Sequence, residues 1–310
     1  MTTEPYISIV VPTYNRAALL PATLATLFKL NYSNFEIIVV DDGSTDNTLE
    51  ILSGIKDPRM KVIPIANSER AAARNRGAEQ AKGEYINFFD SDDLALPNHL
   101  EEAAKAIADL NHPEIFHLNF EIRTPENTLV KTGRMYRKGE TANHRLMCEN
   151  PFSCNGVFIR KDVALQLRFN EDRALSVSED YELWIRMGSR YPLHMINTVT
   201  SIIVLHDNRS VFSVDENKLL FRKNLLLKYA FEDKEVMKVF GKQQKTITAF
   251  NDTYIALHLI LSNQIKSGWS YFLKAIFLDP RCLNDRRTLG IIKQTFLGIK
   301  RKMTNTHTPA

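Results

Sequence analysis

Cysteine is scarce in this chain: three residues, Cys148, Cys154 and Cys282, among 310. The count is odd and none stands in a CxxC pair, which argues against a disulfide framework and for a reducing compartment; each thiol is expected in the core as a small hydrophobe. Long apolar runs are missing as well. None approaches the ~20 apolar residues that a membrane-crossing helix needs, and the start lacks the basic and apolar regions of a signal peptide. The expectation is a protein neither secreted by that route nor integral to a membrane. Glycine-rich loops are absent where they would matter. Pro12-Thr13-Tyr14-Asn15-Arg16, the segment after the first apolar run, holds no glycine, which excludes both the GxGxxG turn of dinucleotide enzymes and the Gly-rich triphosphate loop of nucleotidyltransferases. One-sided charge is also lacking. Lys and Arg number 40 against 36 Asp and Glu, a net +4, and no basic stripe with interleaved aromatics in the first two-thirds supports a nucleic-acid partner.

What is present suits a buried core, since 44% of the residues are hydrophobic and the length allows one large domain with an appendage. Ile7-Ser8-Ile9-Val10-Val11 is an apolar run stopped by Pro12, the pattern of a strand covered on both faces. Leu20, Leu24, Leu27 and Phe28 recur at helical spacing. Ile37-Ile38-Val39-Val40 is a second buried strand, followed by a helix with Leu49 and Leu52 on one face. Residues 61–65 form a third strand. Ser68 caps a helix running to about Ala81 and ended by Gly83, and residues 85–89 form a fourth strand. Alternation at this spacing predicts crossover units and a mostly parallel open sheet flanked by helices. Strands are further predicted at 115–122, 157–159 and 202–205, with a helix capped by Ser178 between the last two. From about Asp215 the chain reads as helical, including an amphipathic segment at 269–278. The expected division is a catalytic domain over 1–212, a helical C-terminal region over 213–303 and a disordered tail over 304–310.

Polar clusters follow three of these strands: Thr13 to Arg16, Asp41 to Ser44, and Asp90 to Asp93. In open sheets of this kind ligands bind beyond the carboxyl ends of the strands, so three loops converge on one edge. Asp90-Ser91-Asp92-Asp93 places three carboxylates in four residues, an arrangement that invites a hard divalent cation such as Mn2+ or Mg2+, or else makes a solvated turn. Asp41 and Asp42 fit recognition of a base or ribose; Asp42 fits a cap of the following helix equally well. Tyr14 suits stacking on a nucleobase, with ordinary packing near a strand end as the alternative. Arg74 and Arg76 are candidates to face phosphates, with a solvated basic face as the alternative. Glu179-Asp180 offers a general base or an acidic first turn favoured by the helix dipole. His206, after the last strand, is a candidate metal ligand or a hydrogen-bonded strand-end residue.

In order and spacing these segments resemble glycosyltransferase family 2, of the type-A nucleotide-sugar transferase fold. Ser8 to Arg16 is similar to its opening strand and nucleotide loop, Glu36 to Thr48 to its second signature, Ala73-Arg74-Asn75-Arg76-Gly77 and Gly83-Glu84-Tyr85-Ile86 to the run before its acidic motif, and Asp90 to Leu94 to that motif itself. Residues 6–100 carry most of the likeness. Ser178 to Arg186 is similar to the acceptor-side segment, although Leu167 and Arg168 replace the usual glycines nearby; Val204 stands where an Arg is common before the metal-binding His. The resemblance implies that Pro12, Tyr14, Arg16, Asp41, Asp42, Arg74 and Asn75 surround the donor nucleotide. It implies that Asp90 binds ribose or supports the metal, that Asp92 with His206 holds Mn2+ or Mg2+, and that Asp180 is the catalytic base. The expected function is inverting transfer from a nucleotide diphosphate sugar, UDP by family habit, to a glycan or lipid-linked glycan acceptor in cell-surface polysaccharide synthesis. The alternative is a non-catalytic nucleotide-sugar sensor or scaffold. The expected location is cytoplasmic. The basic, apolar-studded stretch from Arg281 to Lys302 reads either as a peripheral anchor on the inner face of the cell membrane or as an ordinary packed helix.

Overall fold

The computed structural model describes residues 4–206 and 215–305, with side chains through 297. They fall into two compact units, Met1–Asn143 with Pro151–Arg209, and His144–Asn150 with Ser210–Ala310.

The first unit is an α/β sheet structure. Its elements are β1 (Ile7–Thr13), α1 (Leu20–Leu27), β2 (Phe35–Asp41), α2 (Thr48–Gly54), β3 (Met60–Pro64), α3 (Glu69–Gln80), β4 (Tyr85–Phe88), β5 (Leu94–Ala95), α4 (His99–Asp109), β6 (Ile115–Arg123), β7 (Leu129–Thr132), β8 (Val157–Arg160), α5 (Lys161–Gln166), α6 (Glu179–Gly188) and β9 (His194–Val204). The strands form one nine-stranded sheet in the order β3-β2-β1-β4-β8-β6-β9-β5, with β7 paired to β6. The β3-β2-β1-β4 half is parallel throughout; β8 enters antiparallel to both β4 and β6, and β9 runs parallel to β6.

The uniformly apolar strands follow from cover on both faces. Ile7, Ile9 and Val11 share a core with Ile37 and Val39, with Leu20, Leu24 and Leu27 of α1, and with Leu100 and Ala103 of α4. On the other face α3 packs on β1 and β2. Gly77 makes that approach possible, because a Cβ there would stand 2.3 Å from Val10 Cγ1.

Several boundaries differ from expectation for identifiable reasons. Strand β1 continues through Pro12. Phe89 N donates to Val10 O, so alternate residues from Val10 face β4; Pro12 faces the same side, but the β4 ladder has ended at Val10–Phe88. The missing N–H is therefore not needed. Leu49 is 40% exposed and does not share the buried face of Leu52. Helix α3 ends at Gln80, and Gly83 acts by close approach to Ser8, where a Cβ would lie 2.5 Å from the backbone N. Neither Ser68 nor Ser178 caps its helix through its side chain. Strand β9 begins at His194, eight residues before the purely apolar stretch, because its first half is only half-buried. Short β5 and exposed β7 carry no apolar run to betray them.

His99 and His117 are buried in this sheet unit. His99 Nδ1 pairs with Thr200 Oγ1 at 2.9 Å and Nε2 with Asn87 Oδ1 at 3.2 Å; His117 Nε2 accepts from Ser153 N at 3.2 Å. Burial pushes both pKa values down to about 3. The unfolded chain takes up these protons near the ordinary value of about 6.5, so it binds more protons than the folded chain between the two values. The stabilisation is fully present above that range and is lost as pH falls through it. Unfolding free energy from urea titration should drop by about 2 kcal/mol per histidine between pH 7 and pH 5, and His117→Leu should remove roughly half of that pH dependence. A flat profile would refute the assignment.

The second unit is built from α7 (Glu216–Glu232), α8 (Lys234–Phe240), α9 (Gln244–Leu261), α10 (Ile265–Leu278) and α11 (Arg286–Asn305). Ala256, Ile260, Phe272 and Ile291 join α9, α10 and α11 in one core. Lys223 Nζ meets Asp252 Oδ1 at 2.7 Å inside it. The segment His144–Asn150, far off in sequence, belongs to this unit; Arg287 Nη1 donates to Cys148 O and to Phe250 O at 3.0 Å each. Helix α11 includes Thr304 and Asn305, which the sequence reading placed in the tail; 306–310 lie outside the described residues. All three cysteines are free thiols.

Candidate active site

Strand β1 lies between β2 and β4, so the loops after these three strands leave the sheet at one edge. The first two loops are tied together. Asn15 adopts a left-handed backbone, φ 51°, a conformation that asparagine tolerates. Its N donates to Ser44 Oγ at 2.9 Å and its Oδ1 accepts from Thr45 N at 2.7 Å. Arg16 N donates to Thr48 Oγ1 at 3.1 Å. Tyr14, 45% exposed, stands on the rim.

Asp41 and Asp42 behave differently although adjacent. Asp41 is fully buried; its Oδ2 accepts from Ser44 N at 3.2 Å, while Oδ1 has no hydrogen-bond partner among the described residues. A buried acceptor left without a donor is rare and asks for a ligand or water. Asp42 instead caps α3: Oδ1 accepts from Ser68 N at 2.6 Å and Oδ2 from Glu69 N at 2.9 Å. The cap therefore serves α3, not the helix that follows Asp42, and it replaces Ser68, whose hydroxyl donates to Ala66 O. Burial raises the Asp42 pKa against the pull of those two N–H groups.

The acidic loop is held by a residue that sequence reasoning missed. Asn155 Oδ1 accepts from Asp90 N and its Nδ2 donates to Asp93 Oδ2, both at 2.8 Å. Asp93 Oδ1 accepts from Val204 N at 2.9 Å. A lone asparagine in a single 3-10 turn before β8 carries no periodic or motif signal that marks it as a clamp. Asp93 thus fixes the end of β9 against the acidic loop, which brings His206 to Asp92: Nε2 and Oδ2 lie 3.1 Å apart. Arg16 Nη2 lies 3.4 Å from the same Oδ2. Two ligands at ~2.1 Å and at right angles on an octahedral Mg2+ stand about 3.0 Å apart, so the Asp92–His206 pair fits two neighbouring positions on such an ion. Among the described residues no group of three or more His, Cys, Asp or Glu could hold a metal. Further ligands would have to come from water or a bound phosphate, as is usual for this ion.

Arg74 and Asn75, expected near the donor, are turned inward. Arg74 is 2% exposed. Its Nη1 donates to Glu179 Oε1 at 2.8 Å and its Nη2 to Asp90 Oδ1 at 3.0 Å. Burial opposes this charge, and the surrounding Cys154, Asp90, Glu179 and Asp180 outweigh it, keeping the guanidinium above its ordinary value. Asn75 brackets the neighbouring loop, donating to Phe169 O at 2.9 Å and accepting from Phe169 N at 3.0 Å. Both lie on the buried face of α3, where the segment before α6 meets it; Arg76 is on the exposed face with Glu79. The pair Glu179-Asp180 is thereby split. Glu179 is buried on Arg74, whereas Asp180 is only half-buried in the first turn of α6. Val177, just before, has φ 78°, a costly conformation for a β-branched residue that marks a functional constraint when tertiary structure imposes it.

The chain matches the profile of Glycosyl transferase family 2 over residues 8–167. It belongs to that family. A family relative, a glycosyltransferase of Haemophilus influenzae, is 33% identical over 184 residues, 58% of this chain and 71% of its own length. The UDP-Glc:alpha-D-GlcNAc-diphosphoundecaprenol beta-1,3-glucosyltransferase WfgD of Escherichia coli is 29% identical over 62% of this chain and 73% of its own. Among solved structures, residues 1–349 of S. aureus TarS, in complex with UDP-GlcNAc, superpose with a TM-score of 0.62 at 19% identity, over 96% of this chain and 92% of that one. The mannosyltransferase PcManGT of Pyrobaculum calidifontis, in complex with GDP-Man and Mn2+, superposes with a TM-score of 0.62 at 17% identity, over 99% and 88%. The fold is that of type-A glycosyltransferases.

Proposed function

We propose that this family 2 glycosyltransferase moves a sugar from a nucleotide diphosphate sugar to an acceptor hydroxyl, with inversion, in the assembly of a cell-surface glycan. The observation that carries the reading is the different setting of the two acids: Glu179 is buried on Arg74, and Asp180 is half-buried in the first turn of α6. Asp180 takes the proton of the acceptor hydroxyl while that oxygen bonds to the anomeric carbon. The bond from that carbon to the diphosphate breaks in the same displacement, and its electron pair leaves with the nucleotide. One displacement inverts the centre, through a transition state with oxocarbenium character. Arg16, beside Asp92, is placed to meet charge on the departing diphosphate. Tyr14 offers a face for the base, and Asp41 Oδ1 an acceptor for an N–H or hydroxyl donor of the nucleoside. Asp92 and His206 would hold Mn2+ or Mg2+, whose chemistry is to offset charge on the diphosphate as a Lewis acid. The donors named for TarS, WfgD and PcManGT support a UDP- or GDP-sugar, and the acceptor named for WfgD supports a lipid-linked glycan.

The test is nucleotide release from a panel of UDP-, GDP- and dTDP-sugars with and without Mn2+. One donor should turn over only with metal, and Asp92→Ala should lose that turnover together with metal-dependent donor binding. Full activity in Asp92→Ala would end the metal role; donor binding without turnover, even with acceptors supplied, would favour the sensor reading.

A further inference from the structure

The second unit carries an apolar face that none of its described residues covers. Helix α11 packs inward through Thr288, Ile291 and Thr295, and Trp269 Nε1 of α10 donates to Thr295 Oγ1 at 3.1 Å. At about 100° per residue its opposite face presents Arg286, Leu289, Lys293 and Phe296, with Leu289 71% and Phe296 69% exposed. At the end of α10, Phe277 is 90% exposed, and Leu283 in the turn is 52% exposed. Scattered apolar residues on a surface need no explanation, but large aromatic and leucine side chains ordered along one face of an amphipathic helix do.

The charge on this face identifies what covers it. Arg286 and Lys293 stand on it, whereas Arg287 is turned inward to Cys148 O and Phe250 O, and neither α10 nor the sequence from Arg286 to Asn305 holds an Asp or Glu. The two acids between the helices are engaged locally: Asp279 is bound by Arg281, and Asp285 accepts from Arg287 N at 2.7 Å. A second copy packed on this face would set like charges against each other. A nucleic acid would neutralise the cations and could stack bases on Phe277 and Phe296, but it would leave Leu283 and Leu289 in water. An anionic bilayer satisfies both groups, with Phe and Leu entering the acyl boundary and the cations meeting headgroups. We infer that α11 and the α10–α11 turn form a peripheral docking face for an anionic lipid surface. No helix among the described residues is long and apolar enough to cross a membrane, so the contact is interfacial.

The inference does not depend on the transferase reading and is tested apart from it. The full chain is sedimented with phosphatidylcholine vesicles with and without phosphatidylglycerol. It should bind only the anionic vesicles. Phe277→Ser with Phe296→Ser should weaken binding about tenfold or more, and Arg286→Gln with Lys293→Gln by about 30-fold, while circular dichroism and donor turnover stay unchanged. No binding to anionic vesicles, or binding untouched by either variant pair, would overturn the inference. A dimer by light scattering that dissociates in the Phe277→Ser, Phe296→Ser protein would assign the face to a second copy instead.

Discussion

Asp180→Asn should slow sugar transfer by about 10²–10⁴-fold while donor affinity is retained. The amide keeps the shape of the side chain but cannot take the acceptor's proton. Asp180 sits in the first turn of α6, and the adjacent buried Glu179 is already engaged by Arg74 at 2.8 Å. The comparison that decides is the neighbour. Glu179→Gln should act mainly on stability, because its carboxylate belongs to an interior ion pair. Single-turnover transfer and donor titration on both variants separate the roles. Loss of donor binding in Asp180→Asn, or full transfer, would remove it as the base; transfer lost only in Glu179→Gln would exchange the two assignments.

Arg74→Met should lower the unfolding free energy by about 3–5 kcal/mol, the range for a buried ion pair that loses one partner. Both Arg74 and Glu179 have side chains only 3% exposed, and Glu179 Oε2 has no hydrogen-bond partner among the described residues even with Arg74 present. Removing the guanidinium would leave that carboxylate in the interior with the partly exposed Arg70, 3.9 Å from Oε1, to offset its desolvation. The double variant Arg74→Met with Glu179→Gln should recover a large part of the loss, since the charge is then gone from both sides. Arg74→Lys should not substitute, because a single ammonium cannot reach Glu179 and Asp90 with the two arms of a planar fork. Urea unfolding of the four proteins measures this. A loss within about 1 kcal/mol in Arg74→Met would mean that the pair is solvated and does not anchor α6.

Much of this molecule was legible in its order of residues. The runs at Ile7 to Val11 and Ile37 to Val40 are strands because residues covered on both faces must be apolar on both. The 3.6-residue recurrence in α1 marked a helix for the same reason, whereas α3 was read from a Ser68 cap that the side chain does not make. The polar clusters directly after β1, β2 and β4 stand at one edge of the sheet because these strands are parallel neighbours. Periodicity failed where burial was partial or the element short, as at β5, β7 and the first half of β9.

The chain's own pattern determined the sheet, the helices and the loop edge, because each is encoded in which residues are apolar within a few positions of one another. Which carboxylate does what was decided only by tertiary structure. Asp42 caps a helix 26 residues on, Asn155 clamps the acidic loop from 62 residues away, and Arg74 claims Glu179 across 105. A buried polar group must find a partner, but local spacing records only that the group is polar. The choice of partner is made when packing brings distant segments within hydrogen-bond reach.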